Sequence, residues 1–163
     1  MKLGFIGTGK ITSSVITGIC SSNISFKKIL VSPRNRIIAK KLKRQFRKVS
    51  IAKNNQEIVN SCNWVFLAVT PPVGQKIIKN LKFRSSQTVV SFISTMTLSQ
   101  LKKAIKVKAK IVRAIPLPPI SLKRDLFRFV HQTNKLKTFL INLERQLKLK
   151  MKSYPIIFGP LLE

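Results

Sequence analysis

Acidic residues are nearly missing from this chain. Among its 163 residues, four are Asp or Glu and 32 are Lys or Arg, which gives a formal net charge of +28. Glu57 is the only acid before Asp125. Hydrolysis by paired carboxylates and the binding of hard metal cations both require acidic side chains at close quarters. The first three quarters of the chain are therefore not expected to carry either chemistry, and we expect no metal site.

Cysteine, histidine and long apolar runs are also scarce. The two cysteines, Cys20 and Cys62, lack metal-ligand spacing and each lies in a helical pattern, so we expect thiols rather than a bridge. His131, the one histidine, is expected at the surface and not in catalysis. The apolar run at residues 3–6 is too short for a signal peptide, and no stretch is long enough to span a membrane. These absences predict a cytoplasmic protein with no membrane attachment.

The surplus of basic residues allows three interpretations that the sequence leaves open. Lys and Arg bind the phosphates of a nucleic acid without regard to its sequence. A phosphate-rich cofactor is another anionic partner. The third interpretation is an AT-rich gene whose codon drift favours Lys, so that the charge is merely tolerated. The 44% of hydrophobic residues suffice for a core in each case. We expect no specific nucleic-acid partner, although non-specific binding would follow from the charge.

Short apolar runs alternate with helical periodicity over residues 1–122. The runs lie at residues 3–6, 28–32, 49–52, 64–69, 88–93 and 110–115. The helical patterns lie at residues 11–20, 37–46, 73–81 and 98–105, with a shorter helix that ends at Ser61 and that Asn54 or Asn55 caps. Apolar strands alternating with helices predict an α/β fold, a Rossmann-type doubly wound parallel sheet. Ligands bind beyond the carboxyl ends of such strands, which here are Gly7, Ser32, Thr70, Ser94 and Pro116.

A glycine-rich turn follows the first apolar run directly. The sequence GTGKI at residues 7–11 ends the predicted strand and opens the predicted helix. In that setting backbone N–H groups and the helix dipole hold a pyrophosphate. Thr12 stands where the motif prefers Gly or Ala, so helix and strand are expected to pack slightly less closely. The position of the turn predicts a dinucleotide-binding site.

The second predicted strand ends in basic and neutral polar residues. Where an NAD-binding domain places an acid for the ribose hydroxyls, this chain has SPRNR at residues 32–36. A guanidinium makes paired, charge-assisted hydrogen bonds to a 2′-phosphate. The segment therefore predicts NADP rather than NAD. The alternative is that Arg34 and Arg36 are solvated surface charges.

Four segments in register resemble the pyrroline-5-carboxylate reductase family. They are GFIGTGKI at residues 4–11, VSPRN at 31–35, FLAVTP at 66–71 and VRAIPLP at 112–118. The resemblance covers roughly residues 1–122, and similar cofactor domains occur in deazaflavin-dependent NADP reductases. It implies an NADPH-dependent oxidoreductase of proline biosynthesis that transfers a hydride to a small cyclic imine.

The resemblance also implies roles for particular residues. The pyrophosphate would be bound by Gly7, Thr8, Gly9, Lys10 and Ile11. The adenosine phosphate would be bound by Ser32, Arg34 and Asn35, and the adenosine side by Asn55. The ribose and nicotinamide would be lined by Ala68, Val69, Thr70 and Pro71. No catalytic residue is assigned, because hydride transfer requires mainly that the cofactor be held and oriented.

Two segments depart from the family pattern. After the fifth strand the family has two small residues and a glycine, where this chain has STM at residues 94–96. After the sixth strand it has Met-Pro-Asn-Thr-Pro, where this chain has IPLPP at residues 115–119. The lost asparagine removes a polar contact near the hydride site. Both departures weaken the substrate assignment more than cofactor binding.

The resemblance implies that a helical second domain follows the cofactor domain in the family and forms the dimer. Residues 123–163 of this chain are a basic tail in its place. Residues 125–129 show neither strand nor helix pattern, and residues 136–151 are basic and loosely amphipathic. One hypothesis is that the tail is translated out of frame. When the tail is back-translated with AT-rich codons and read from the third base, the result from about residue 129 is a peptide similar to the family's continuation. The other is a genuine basic helix for a partner or membrane surface. Two functions therefore stay open: a reductase with only its cofactor domain intact, and a stand-alone NADP-binding or nucleic-acid-binding module without turnover.

Overall fold

Strands and helices alternate as expected in the computed structural model, which describes residues 1–116 and 127–130. The strands are β1 (Lys2–Ile6), β2 (Lys28–Val31), β3 (Val49–Ile51), β4 (Trp64–Leu67), β5 (Thr88–Ser91), β6 (Lys110–Pro116) and β7 (Phe127–Val130). The helices are α1 (Lys10–Cys20), α2 (Arg36–Gln45), α3 (Asn55–Ser61), α4 (Pro71–Ile78) and α5 (Leu98–Ile105). None of the helices in these residues is both long and apolar enough to cross a lipid bilayer.

The seven strands form one sheet in the order β3-β2-β1-β4-β5-β6-β7. Strands β1 to β6 pair in parallel. This is the order of a Rossmann-type sheet, so the predicted fold is confirmed. The chain winds outward from β1 in one direction and from β4 in the other. The switch point therefore lies between the carboxyl ends of β1 and β4, directly beside the glycine turn.

Two apolar clusters cover the two faces of the sheet. The first joins alternate residues of the strands, such as Phe5, to α1 and α2. The second joins the other alternate residues, such as Ile6, to α3, α4 and α5. Because both faces are covered, the buried positions of the strands are mostly apolar, which is the pattern that the sequence shows. Trp64 packs against the first cluster, in line with its interpretation as a core residue.

The turn after β4 is one place where the predicted boundaries differ. Strand β4 ends at Leu67, two residues earlier than predicted, and α4 begins at Pro71, two residues earlier than predicted. Proline is suited to the first position of a helix, because its missing N–H has no intrahelical partner there and its φ is already helical. Pro71 and Pro72 therefore begin the helix as well as ending the strand.

Strand β7 corrects the interpretation of the start of the tail. Residues 125–129 show neither strand nor helix pattern in the sequence, yet residues 127–130 pair antiparallel with β6, with Ala114 opposite Phe129. An open sheet edge offers unpaired backbone groups, so a short segment joins it without a long apolar run. The predicted boundary after residue 122, the stretch at 136–151 and His131 lie outside the described residues and stay predictions.

Candidate functional site

The turn after β1 is packed tightly against β4. Gly7 has φ +99°, in the region that favours glycine. A Cβ atom at this position would overlap the backbone carbonyl oxygen of Ala68 and lie 2.7 Å from Cγ1 of Val69. Gly7 is therefore required by both the backbone conformation and the close approach of the two strand ends.

Gly9 lies at the opposite, open side of the same turn. Its backbone is extended, with φ −100°, and a Cβ atom would meet nothing within 4 Å. Gly9 is the N-cap of α1, and no side chain of the described residues caps it. The first amides of a helix lack intrahelical partners and favour an anion. The turn thus presents open space in front of a helix N-terminus.

Thr12 ties the first turn of α1 to the end of β1. Its side chain is fully buried, and its hydroxyl donates a 2.6 Å hydrogen bond to the carbonyl oxygen of Gly7. The sequence predicted slightly looser packing here because the motif prefers a smaller residue. The structure shows that the extra atoms of Thr12 make a hydrogen bond that glycine or alanine could not make.

Ser32, at the end of β2, contacts the glycine turn. Its Oγ accepts a hydrogen bond from the amide of Gly7 at 3.0 Å. The hydroxyl of Thr8 donates to the carbonyl oxygen of Ser32 at 2.8 Å and lies 3.0 Å from its Oγ. Both side chains are buried. Ser32 was expected to contact the adenosine phosphate, whereas its contacts in the structure are with the turn.

The next residues after β2 are open to solvent. Arg34 and Asn35 are exposed. The Oδ1 atom of Asn35 accepts a hydrogen bond from the amide of Ile38 at 3.2 Å, which makes Asn35 the N-cap of α2. Arg34 is therefore an exposed residue directly before a capped helix N-terminus. The predicted adenosine-phosphate residues thus divide into a buried Ser32 and two exposed neighbours.

Asn55 lies on the outer side of this edge, after β3. Asn54 is the N-cap of α3 and accepts from the amide of Glu57 at 2.9 Å, so of the two candidate caps Asn54 is the one used. Asn55 is the first residue of α3 and is half-buried. The carboxylate of Glu57, the one acid among the described residues, accepts from the amide of Lys53 at 2.6 Å.

The turn between β4 and α4 holds the predicted ribose and nicotinamide residues. Ala68, Val69 and Pro71 are half-buried, and Thr70 is exposed. Thr70 is the N-cap of α4, but its hydroxyl makes no capping hydrogen bond. This turn lies beside the glycine turn because β4 is paired with β1.

Four further predicted residues lie along the same edge. Lys10 is exposed, and Ile11 is 50% exposed. Ser94 follows β5 and is exposed, and Pro116 ends β6. Since β1 to β6 are parallel, their carboxyl ends lie at one edge of the sheet. The structure therefore gathers all of the predicted site residues there, with Asn55 at one end and Pro116 at the other.

Arg113 is a residue at this edge that the sequence did not single out. Its guanidinium donates from Nη2 to the carbonyl oxygen of Ser94 at 2.7 Å, which links β6 to the turn before α5. Its Nε atom is buried and has no hydrogen-bond partner among the described residues. The signal that could have found it was an arginine between the apolar residues of a predicted strand.

A glycine turn at the switch point of a parallel sheet, open in front of α1, defines a Rossmann-type dinucleotide-binding domain. The chain belongs to the family described as "NADP oxidoreductase coenzyme F420-dependent", whose model matches residues 2–97. This membership confirms NADP as the cofactor that the sequence predicted.

Known proteins that resemble the chain agree with the predicted family. The chain is 30% identical over 121 residues to pyrroline-5-carboxylate reductase of Escherichia coli, an alignment that covers 72% of this chain and 45% of that protein. It is 29% identical over 129 residues to pyrroline-5-carboxylate reductase 3 of Danio rerio, over 75% of this chain and 43% of that protein. The chain thus spans less than half the length of these relatives.

A solved structure shares the fold. Plasmodium falciparum pyrroline carboxylate reductase with NADP bound matches with a TM-score of 0.68 and 21% identity, over 90% of this chain and 55% of that one. The predicted resemblance to pyrroline-5-carboxylate reductases is confirmed by these similarities.

Proposed function

We propose that this chain binds NADPH along the carboxyl edge of the sheet and is the cofactor domain of a reductase that acts on a cyclic imine, as in proline biosynthesis. The observation that carries the proposal is the contrast between the two glycines of the turn. Gly7 is packed against β4, while Gly9 faces open space before the unpaired amides of α1. That arrangement admits a pyrophosphate and leaves no room for a side chain at Gly7.

We assign the remaining contacts from the same edge. The pyrophosphate would lie against the backbone of Gly9, Lys10 and Ile11, with the half-exposed Ile11 offering an apolar surface. Arg34 would hold the 2′-phosphate. The one carboxylate among the described residues, that of Glu57, accepts a hydrogen bond from the amide of Lys53. Asn55 would contact the adenosine.

The nicotinamide half would lie over the turn between β4 and α4. Ala68, Val69, Thr70 and Pro71 line that turn, and Ser94 and Pro116 follow the next two strands. When bound, the cofactor supplies the hydride, and the chain's task is to hold the reacting plane and exclude water. The half-buried apolar residues of the turn suit that task.

A binding and turnover experiment tests the proposal. NADPH and NADH would be titrated into the full chain by calorimetry, followed by an assay of NADPH oxidation with pyrroline-5-carboxylate. Trp64 lies at the amino end of β4, opposite the site, so its fluorescence is a poor reporter. Saturable binding with a preference for NADPH supports the cofactor assignment, and turnover supports the imine substrate. Absence of NADPH binding would overturn the proposal.

The proposal also concerns residues 123–163 and the reading frame in which they are translated. We propose that residues 1–122 are the part of the chain that holds the cofactor. Two hypotheses, translation out of frame and a genuine basic helix, stay open for residues 123–163. The nucleotide sequence decides between the two hypotheses for the tail. If its codons, read in the shifted frame, do not encode the family's continuation, translation out of frame is excluded.

We also propose the cytoplasm as the site of action, since Cys62 is a buried thiol and not half of a disulfide. Fractionation of cells that produce a tagged full chain tests this, and recovery from a secreted or membrane fraction would contradict it.

A second candidate function is non-specific binding of nucleic acid. The outward residues of α2 favour it, because Arg36, Lys40, Lys41, Lys43 and Arg44 are all exposed. Such binding weakens steeply as salt increases, because each neutralised phosphate releases counterions. Binding of labelled duplex DNA with a steep salt dependence, together with no binding of NADPH, would favour this function over the first.

A further inference from the structure

The pair of hydroxyls that joins the glycine turn to β2 has a fixed hydrogen-bond direction. The hydroxyl of Thr8 donates to the carbonyl oxygen of Ser32 at 2.8 Å, because a carbonyl only accepts. Each hydroxyl has a single hydrogen, so Thr8 has none left for Oγ of Ser32, which lies 3.0 Å away. Ser32 is therefore the donor in that contact.

The hydroxyl of Ser32 likewise has a single hydrogen to donate. Its Oγ accepts from the amide of Gly7 at 3.0 Å and donates its one hydrogen to Thr8. The three hydrogen bonds form a ring in which each polar hydrogen is used. A phosphate dianion offers acceptors and needs donors. Ser32 has no hydrogen to give it unless the ring opens, and at 3% exposure for Ser32 and 4% for Thr8 the ring is closed to solvent.

We infer that Ser32 is a positioning residue of the glycine turn and not a ligand of the 2′-phosphate. The inference rests on the proposed function, since it concerns a dinucleotide bound at that turn. Ser32 lies two residues before Arg34 and is hydrogen-bonded to the first two residues of the turn. It therefore fixes the pyrophosphate site relative to the 2′-phosphate site. Loss of its hydroxyl weakens binding of NADPH and NADH alike.

The test compares four single variants, and the double variant of Ser32→Ala with Thr8→Val, by titration with both dinucleotides. Ser32→Ala removes the ring's central hydroxyl, Thr8→Val removes its partner with little change in shape, and Thr8→Ser retains the hydroxyl. Ser22→Ala is the matched control, because Oγ of Ser22 makes one donated and one accepted backbone hydrogen bond at the far end of α1. Thermal unfolding of each variant verifies that the domain is folded.

We expect Ser32→Ala and Thr8→Val each to raise the Kd of both dinucleotides about tenfold, the size expected for one or two lost hydrogen bonds, with the ratio of the two Kd values unchanged. The double variant should lose little more than either single one, because both break the same ring. Ser22→Ala should bind as the wild type does, and Thr8→Ser, which retains the hydroxyl, should lose less affinity than Thr8→Val.

Two results would overturn the inference. If Ser32→Ala weakens NADPH alone, Ser32 contacts the 2′-phosphate, and the proposed function stands without it. If Ser32→Ala changes neither Kd, the ring does not position the turn. A wild-type chain that binds neither dinucleotide is a separate outcome, and it overturns the proposed function itself together with this inference.

Discussion

The backbone of Gly7 lies directly against the carbonyl oxygen of Ala68, so that the ends of two neighbouring strands meet without a side chain between them. Replacing Gly7 with alanine places a Cβ on that carbonyl and forces a non-glycine residue to φ +99°. We expect Gly7→Ala to lower the free energy of unfolding by about 3 kcal/mol or more, because backbone strain and overlap add. Urea denaturation measures this. A variant within about 1 kcal/mol of the wild type would show that the turn is less constrained than the structure indicates.

Arg34 should set the preference between the two dinucleotides. Arg34→Gln removes the charge and the paired donors, so we expect the Kd of NADPH to rise about 10- to 100-fold while that of NADH stays within about twofold. Lys43→Gln is the matched control, since it removes the same charge from an exposed position at the other end of α2. Titration with both ligands checks this. An equal loss for both variants would mean that Arg34 acts only through general charge.

Burial raises the pKa of the Cys62 thiol to about 11, chiefly because the thiolate would lose its hydration. Below about pH 9 the thiol is protonated in both the folded and the unfolded chain. Between pH 9 and 11 only the unfolded chain releases the proton, so stability falls over that window and levels off above it.

Comparison with Cys62→Ala isolates this effect from those of other groups in the chain. The difference in the free energy of unfolding between wild type and Cys62→Ala should shift by about 2 to 3 kcal/mol against the wild type between pH 8 and 11. Urea denaturation across that range measures the difference. A difference that does not change with pH would contradict a buried neutral thiol.

The fold was predictable because each strand is covered on both faces. Phe5 and Ile6 point to opposite clusters and both are fully buried, so consecutive residues of the strand are apolar, and a continuous apolar run is easy to recognise. The turn at Pro71 was less predictable, since one proline both ends a strand and begins a helix. Strand β7 was missed because it depends on an open edge of β6 and not on its own pattern.

The site was predictable in position and not in its internal contacts. The glycines and Arg34 lie next to recognisable strand ends, so their location follows from the topology. The contacts of Ser32 with Gly7 and Thr8 join residues 24 and 25 positions apart, and they depend on the pairing of β1 with β2. The link from Arg113 to Ser94 depends likewise on the pairing of β5 with β6. No local pattern encodes such contacts.

The decisive measurement compares the Gly9→Ala variant with the wild type in two quantities, the Kd of NADPH and the free energy of unfolding. A Cβ at Gly9 meets nothing in the protein, so the free energy of unfolding should stay within about 1 kcal/mol of the wild type. If the open space is where the pyrophosphate lies, the same Cβ occupies it, and the Kd of NADPH should rise at least about tenfold. A stable Gly9→Ala variant that binds NADPH as tightly as the wild type would contradict the proposed site.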